Sequence, residues 1–344
     1  MRLFFWSACL TLGLLAGAGT AAAEGTKATP VPLPILPQGT ITLRVATLEN
    51  TRLPAWPRPR IERLLAVTAR IVADHFGLVV RFELGPRYSV ADLWPEIERR
   101  FGVRLRHQIF DFRRGRGNPD LLRRVYTKVV ARSEPVRALL RRLAPDRTTP
   151  ADGAAWLVDR HLEGLRSWQE AKWPDGRPVL ADTMASEWVY WDALGHLNLP
   201  AEVFVTNQPL ISAEYHAPAP HAALRGGLTV GSTGYAPASR YGTLSSFSTF
   251  AFEPGIPALT RLRGGRDYGP DEATDLAGAY LAHEIGHQLL HLGHPFENPA
   301  CVMRPAEELR FRDWKAGLDP GRCRLGSEPA MTPGAFRFYE SLNQ

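Results

Sequence analysis

Apolar positions recur along the chain with two periods, and each predicts its own kind of element. From Thr40 to Leu48 apolar and polar residues alternate, with Ile41, Leu43, Val45 and Thr47 in step, which predicts a strand. From Ile61 to Phe76 the period lengthens: Leu64, Leu65, Val67, Ile71 and Val72 recur at helical spacing, and Gly77 supplies a stop. Leu78–Leu84 reads as a second strand. Strand, helix and strand in that order suit a parallel pair joined by a crossover.

Residues Tyr88 to about Leu199 are mainly helical in pattern, with helices expected at Val90–Phe101, Pro119–Leu143, Ala151–Trp173 and Asp182–Leu197. Trp156, Trp168, Trp173, Trp188 and Trp191 fall in this block, where helical spacing marks them as core. His161 and His196 are lone histidines there and read as structural. A third strand follows at Ala201–Thr206, a short edge strand at Gly227–Gly231, and another strand at Thr243–Phe252. Gly231–Gly242, rich in Gly, Ser and Tyr, reads as a surface loop; His216 and His221 sit in a Pro/Ala-rich loop that is a poor second metal site. Helices are expected at Pro305–Lys315 and at Thr332–Leu342, the latter capped by Thr332.

One stretch does not fit the amphipathic pattern. Thr274–Leu292, with Asp271 as a candidate cap, carries Leu276, Tyr280, Leu281, Ile285, Leu289 and Leu292 around most of its surface. A helix apolar on most sides is buried. Yet it contains His283-Glu284-x-x-His287. Residues four apart share a helix face, so the two imidazoles can grip one ion, and Glu284 can reach a water on that ion. Burying these polar groups without a partner would be costly, and a metal supplies one. Zinc lowers the pKa of its water towards ~7, and a neighbouring carboxylate can take the proton as the water attacks a carbonyl. That is zinc peptidase chemistry, with Glu284 as general base.

Catalytic zinc needs a third protein ligand and an open fourth position. His291 continues the stripe, but on a persisting helix it lies about 12 Å along the axis from His283. His294 follows Gly293, which can end the helix and turn the chain back towards the metal. Glu307 and Glu308 stand about as far downstream as the glutamate ligand of thermolysin-like enzymes, a gluzincin alternative.

The segment resembles the metzincin zinc peptidases, whose pattern is H-E-x-x-H-x-x-G-x-x-H followed by a Met-turn. His283, Glu284, His287 and His294 match the ligand and base positions, and Met303, in Cys301-Val302-Met303-Arg304-Pro305, matches the turn. The Cys-Val-Met wording is similar to the archaemetzincin branch. The third histidine falls eleven residues after His283 instead of ten, and Leu290 stands where the family has glycine. The resemblance implies an α+β, zincin-like fold: a small mixed sheet, an active-site helix, and residues about 88–199 as a large helical insertion. It also implies that the edge strand, assigned to Leu228–Val230, runs along the cleft and pairs with extended substrate. Tyr235, Tyr241 or His291 is then a candidate electrophile, and Asp313 or Glu308 a candidate to orient an imidazole.

The first 23 residues read as a secretory signal: Arg2, an apolar run from Leu3 to Ala18, and a small-residue cleavage site. That places the protein outside the cell or in the periplasm, with a linker at 24–39 and one catalytic domain at 40–344. No later stretch is long and apolar enough to span a bilayer. Loss of Cys9 with the signal leaves Cys301 and Cys323, for which an oxidising compartment predicts a disulfide; two buried thiols are the alternative. The net charge of +6 is concentrated. Between Arg104 and Arg147 thirteen Arg or Lys face four Asp or Glu. Such a block is a solvated helical face or a patch for an anionic partner; without aromatic interleaving, no nucleic acid is expected. A rival class is a secreted binding protein in which any metal is structural and the basic block does the binding.

Overall fold

The computed structural model describes residues 39–320 except 102–109, 112–115, 118, 180–193, 195, 196, 212–219, 237, 238, 291 and 297, together with 324, 325, 328 and 329. The signal at 1–23, the linker as far as 38, most of the helix expected at Asp182–Leu197, all of Thr332–Leu342, and His196, His216, His291 and Cys323 lie outside the described residues.

The alternation near the start of the chain becomes β1 (Ile41–Glu49). Leu43 and Val45 enter one apolar cluster and Ala46 and Leu48 another, so β1 is buried on both faces as a central strand should be. α1 (Arg58–Phe76) begins just after Pro57 and stops at Gly77, whose φ of 67° lets its N–H bond to the Ala73 carbonyl. β2 (Val80–Ser89) then pairs parallel with β1 and runs five residues past the expected end.

The main sheet has five strands in the order β2-β1-β3-β5-β4, with β3 at Val203–Thr206, β4 at Gly231–Tyr235 and β5 at Thr243–Ser248. Its neighbours are parallel except β4, which lies antiparallel to β5 at the edge. The fold is therefore α+β, with a mostly parallel sheet. The edge strand is not the one expected. Leu228–Thr229 pairs instead with Leu210–Ile211 in a separate ribbon, and the edge is Gly231–Tyr235, part of the stretch that reads as a loop.

The helical block holds α2 (Val90–Phe101), α3 (Pro119–Arg132), α4 (Glu134–Leu143) and α5 (Pro150–Glu170). The single helix expected at Pro119–Leu143 breaks at Ser133. Pro135 cannot donate a hydrogen bond, and Ser133 caps the new helix by accepting from the Val136 N–H at 3.4 Å. His161 is fully buried on α5, with Nδ1 2.9 Å from the Tyr126 hydroxyl on α3, which gives it a structural role.

Three short helices, α6 (Pro220–Leu224), α7 (Pro257–Leu262) and α9 (Phe311–Ala316), surround the long α8 (Pro270–Leu290). α9 is all that forms of the helix expected at Pro305–Lys315. α8 starts before Asp271, which sits in its first turn and pairs with Arg63 on α1. α8 and α1 pack closely: a Cβ on Gly278 would stand 2.6 Å from the Leu64 carbonyl. From Ala273 to Leu290 almost every α8 residue is buried. No helix among the described residues is long and apolar enough to cross a membrane.

Candidate metal centre

α8 brings His283 and His287 to one face, and the chain beyond it turns back to add His294. The helix ends at Leu290, two residues before the expected end, and the Leu292 N–H bonds to the Gly286 carbonyl at 3.3 Å. That tight exit absorbs the eleven-residue spacing. The three Nε2 atoms then stand 2.9, 3.0 and 3.2 Å from one another, and all three rings are buried.

The outer nitrogens explain what the inner ones can do. His283 Nδ1 lies 2.9 Å from the Val302 carbonyl, and His287 Nδ1 lies 2.5 Å from the Leu292 carbonyl. A carbonyl only accepts, so each Nδ1 carries the proton and each Nε2 points a lone pair inward. Burial, reinforced by His287, holds His283 and His294 well below the ordinary imidazole pKa, so neither charges readily. Lone pairs facing one another at about 3 Å repel unless a cation lies among them. A tetrahedral zinc ion with bonds of about 2.0–2.1 Å sets its ligand nitrogens about 3.3 Å apart, close to the spacing here. The residues present fit a divalent ion, and His283, His287 and His294 would hold it.

Glu284, 3 % exposed, follows His283 on α8 and packs against β4. Thr233 Oγ1 is 3.3 Å from its Oε2 and 3.2 Å from its backbone carbonyl. Beneath the histidine-bearing turn sits Met303, 1 % exposed, with Sδ so close that a Cβ on Gly286 would run into it. Tyr280 stacks on His283 with ring centroids 5.1 Å apart and planes 7° from parallel. The buried Arg225 guanidinium donates to the Tyr280 hydroxyl at 3.0 Å and to the carbonyls of Ala306 and Glu308 at 2.7 and 2.5 Å. It thereby ties the segment after Met303 to α8.

Compared with models of known families, with curated proteins and with solved structures, the chain finds no match.

The other candidates fall away from the triangle. Glu307 pairs with Arg304 and Arg142, and Glu308 with Arg160 and Arg310, so both carboxylates are committed to arginines. The Val302 and Leu292 carbonyls, not Asp313 or Glu308, meet the outer nitrogens of His283 and His287, which no side-chain pattern could reveal, and His294 Nδ1 is buried with no hydrogen-bond partner among the described residues. The Tyr241 hydroxyl donates to the Thr42 carbonyl at the opening of β1, and Tyr235 lies at the far end of β4 from Gly231. Cys301 is fully buried, and its expected pairing with Cys323 falls outside the described residues.

His221, read as a loop residue, stands on α6 edge-on to His294, with ring centroids 4.8 Å apart. Only its being one of ten histidines could have flagged it. In the basic block, Arg123 pairs with Asp120, Arg137 and Arg141 with Glu134, Arg142 with Glu307, and Arg147 with Asp146. Arg104, Arg106, Arg113 and Arg114 of the same block lie outside the described residues.

Proposed function

We propose that the chain is a secreted or periplasmic zinc-dependent metallopeptidase resembling the metzincins, cleaving peptide or protein substrates. One observation carries this reading: three buried imidazole Nε2 atoms converge within 3.2 Å, two of them left unprotonated by their Nδ1–carbonyl contacts, and the buried Glu284 follows His283 on the same helix. Bound there, zinc supplies Lewis acidity and a water that ionises near neutral pH.

The chain's own residues do the rest. The Val302 and Leu292 carbonyls fix the tautomers that leave Nε2 available. Glu284 takes the proton from the attacking water and returns it to the departing amine. β4, the end strand of the sheet beside α8, offers an extended peptide a backbone to pair with. Further support comes from Met303 beneath the histidine turn and from the opening β1-α1-β2 unit.

Purified protein loaded with zinc should hydrolyse members of a broad peptide library. Glu284→Gln should lower the rate on the order of 10²–10⁴-fold while retaining zinc. Equal hydrolysis by both proteins would remove Glu284 as the base, and none by either would favour a metal-binding protein without catalysis.

A further inference from the structure

We propose that the edge strand β4 is the positioning element for the base, with Gly231 and Thr233 setting where the Glu284 carboxylate sits. This inference rests on the reading of Glu284 as base.

Gly231 and Thr233 are two apart on a strand, so they face the same side of the sheet, and that side meets α8. Each acts on Glu284 differently. Gly231 leaves room: a Cβ built there would stand 2.6 Å from Glu284 Cγ, 2.7 Å from Cδ and 2.7 Å from Oε1. Thr233 supplies contact. Its hydroxyl reaches Oε2 and the Glu284 carbonyl, and is itself held 2.8 Å from Ser245 Oγ on β5. Ser245 Oγ also reaches the Glu284 carbonyl, at 3.4 Å. The missing side chain at Gly231 admits the carboxylate and the braced Thr233 hydroxyl holds it there. This explains why the strand reads Gly-Ser-Thr-Gly-Tyr without apolar alternation. Its inner face is matched to a carboxylate and not to a core.

The contacts also say what substitution would do. The atoms that a Gly231 Cβ would meet belong to the far end of one flexible side chain. The fold can therefore accept alanine by letting Glu284 swing away. Gly231→Ala should fold, bind zinc with unchanged stoichiometry and melt close to the parent. Its kcat should fall about 100-fold with KM nearly constant, since a displacement of order 1 Å from reacting geometry costs about that much. Thr233→Val keeps the shape, removes the hydroxyl and should lose about tenfold in kcat, because a hydrogen bond to a charged group is worth about one to two factors of ten. Thr233→Ser should recover most of that loss, which a purely structural role would not produce.

The closing experiment is a crystal structure of zinc-loaded Gly231→Ala beside the parent, with kinetics of both and of Glu284→Gln. The expected result is a carboxylate moved by about 1 Å or more on an otherwise unchanged site. A carboxylate in its parental place overturns the proposal whether or not the protein turns over. If Glu284→Gln loses activity while Gly231→Ala and Thr233→Val keep it, positioning fails and the base assignment stands. If Glu284→Gln is as active as the parent, the base assignment fails instead.

Discussion

The proton inventory of two imidazole rings decides what the site can hold. His283 and His287 each spend their N–H on a backbone carbonyl, so the nitrogens facing each other at 3.0 Å are both acceptors. His294 completes the triangle, whereas Glu307 is engaged by Arg304 and Arg142. Accordingly, His294→Ala should lose stoichiometric zinc after dialysis, and Glu307→Ala should keep it, as read by elemental analysis. The sequence was informative here where chemistry follows spacing: the i, i+4 histidines and the adjacent glutamate are a helical pattern. It was silent where the partner is backbone. Any residue could have supplied the carbonyls of Val302 and Leu292. Likewise Thr233 became meaningful only once β4 lay against α8.

α8 shows how an element can be crowded and still be polar where it must be. Glycines let it approach α1 at Gly278 and let Met303 and Phe76 press against Gly286. Gly286→Ala should therefore cost about 1–3 kcal/mol by overpacking, measured by denaturant unfolding of the zinc-free protein. Gly164 on α5 and Gly226 after α6 meet backbone to backbone, and Gly226 also has φ of 64°. Backbone cannot swing aside as a glutamate side chain can, so Gly226→Ala should destabilise more than Gly286→Ala in the same assay. The strands with apolar alternation, β1 above all, were legible in advance. β4 was not, because its inner face packs on a carboxylate and the hydrophobic period vanished with it. The break at Ser133 was legible in principle, since Pro135 and a preceding serine are a helix-start signal inside an apolar repeat.

Across the whole molecule the helical block is fastened to the segment that follows Met303. Arg142 and Arg160 pair with Glu307 and Glu308, Arg225 holds the carbonyls of Ala306 and Glu308, and the Trp168 indole donates to the Arg225 carbonyl at 3.0 Å. The block therefore braces the segment beside the histidine cluster, a role that composition alone did not suggest. The same burial makes the zinc-free protein sensitive to acid. His221, His283 and His294 are held well below the ordinary imidazole pKa chiefly by burial. The unfolded chain then binds more protons, so stability rises with pH. It should be lost as pH falls below about 6.5, by up to about 1.4 kcal/mol per pH unit for each group. Melting of the zinc-free protein between about pH 7.5 and 5.5, on either side of the ordinary imidazole pKa, checks this. Zinc at a free concentration about 100 times its Kd should restore about 2.7 kcal/mol at neutral pH.

The proposed activity requires His283, His287 and His294 to share one zinc ion through Nε2. X-ray absorption at the zinc edge is the decisive test, because it reads ligand type and distance together. Three imidazole nitrogens at about 2.0–2.1 Å and one further light atom are the expected shell. A sulfur at about 2.3 Å, or a shell with fewer than three imidazoles, would contradict it.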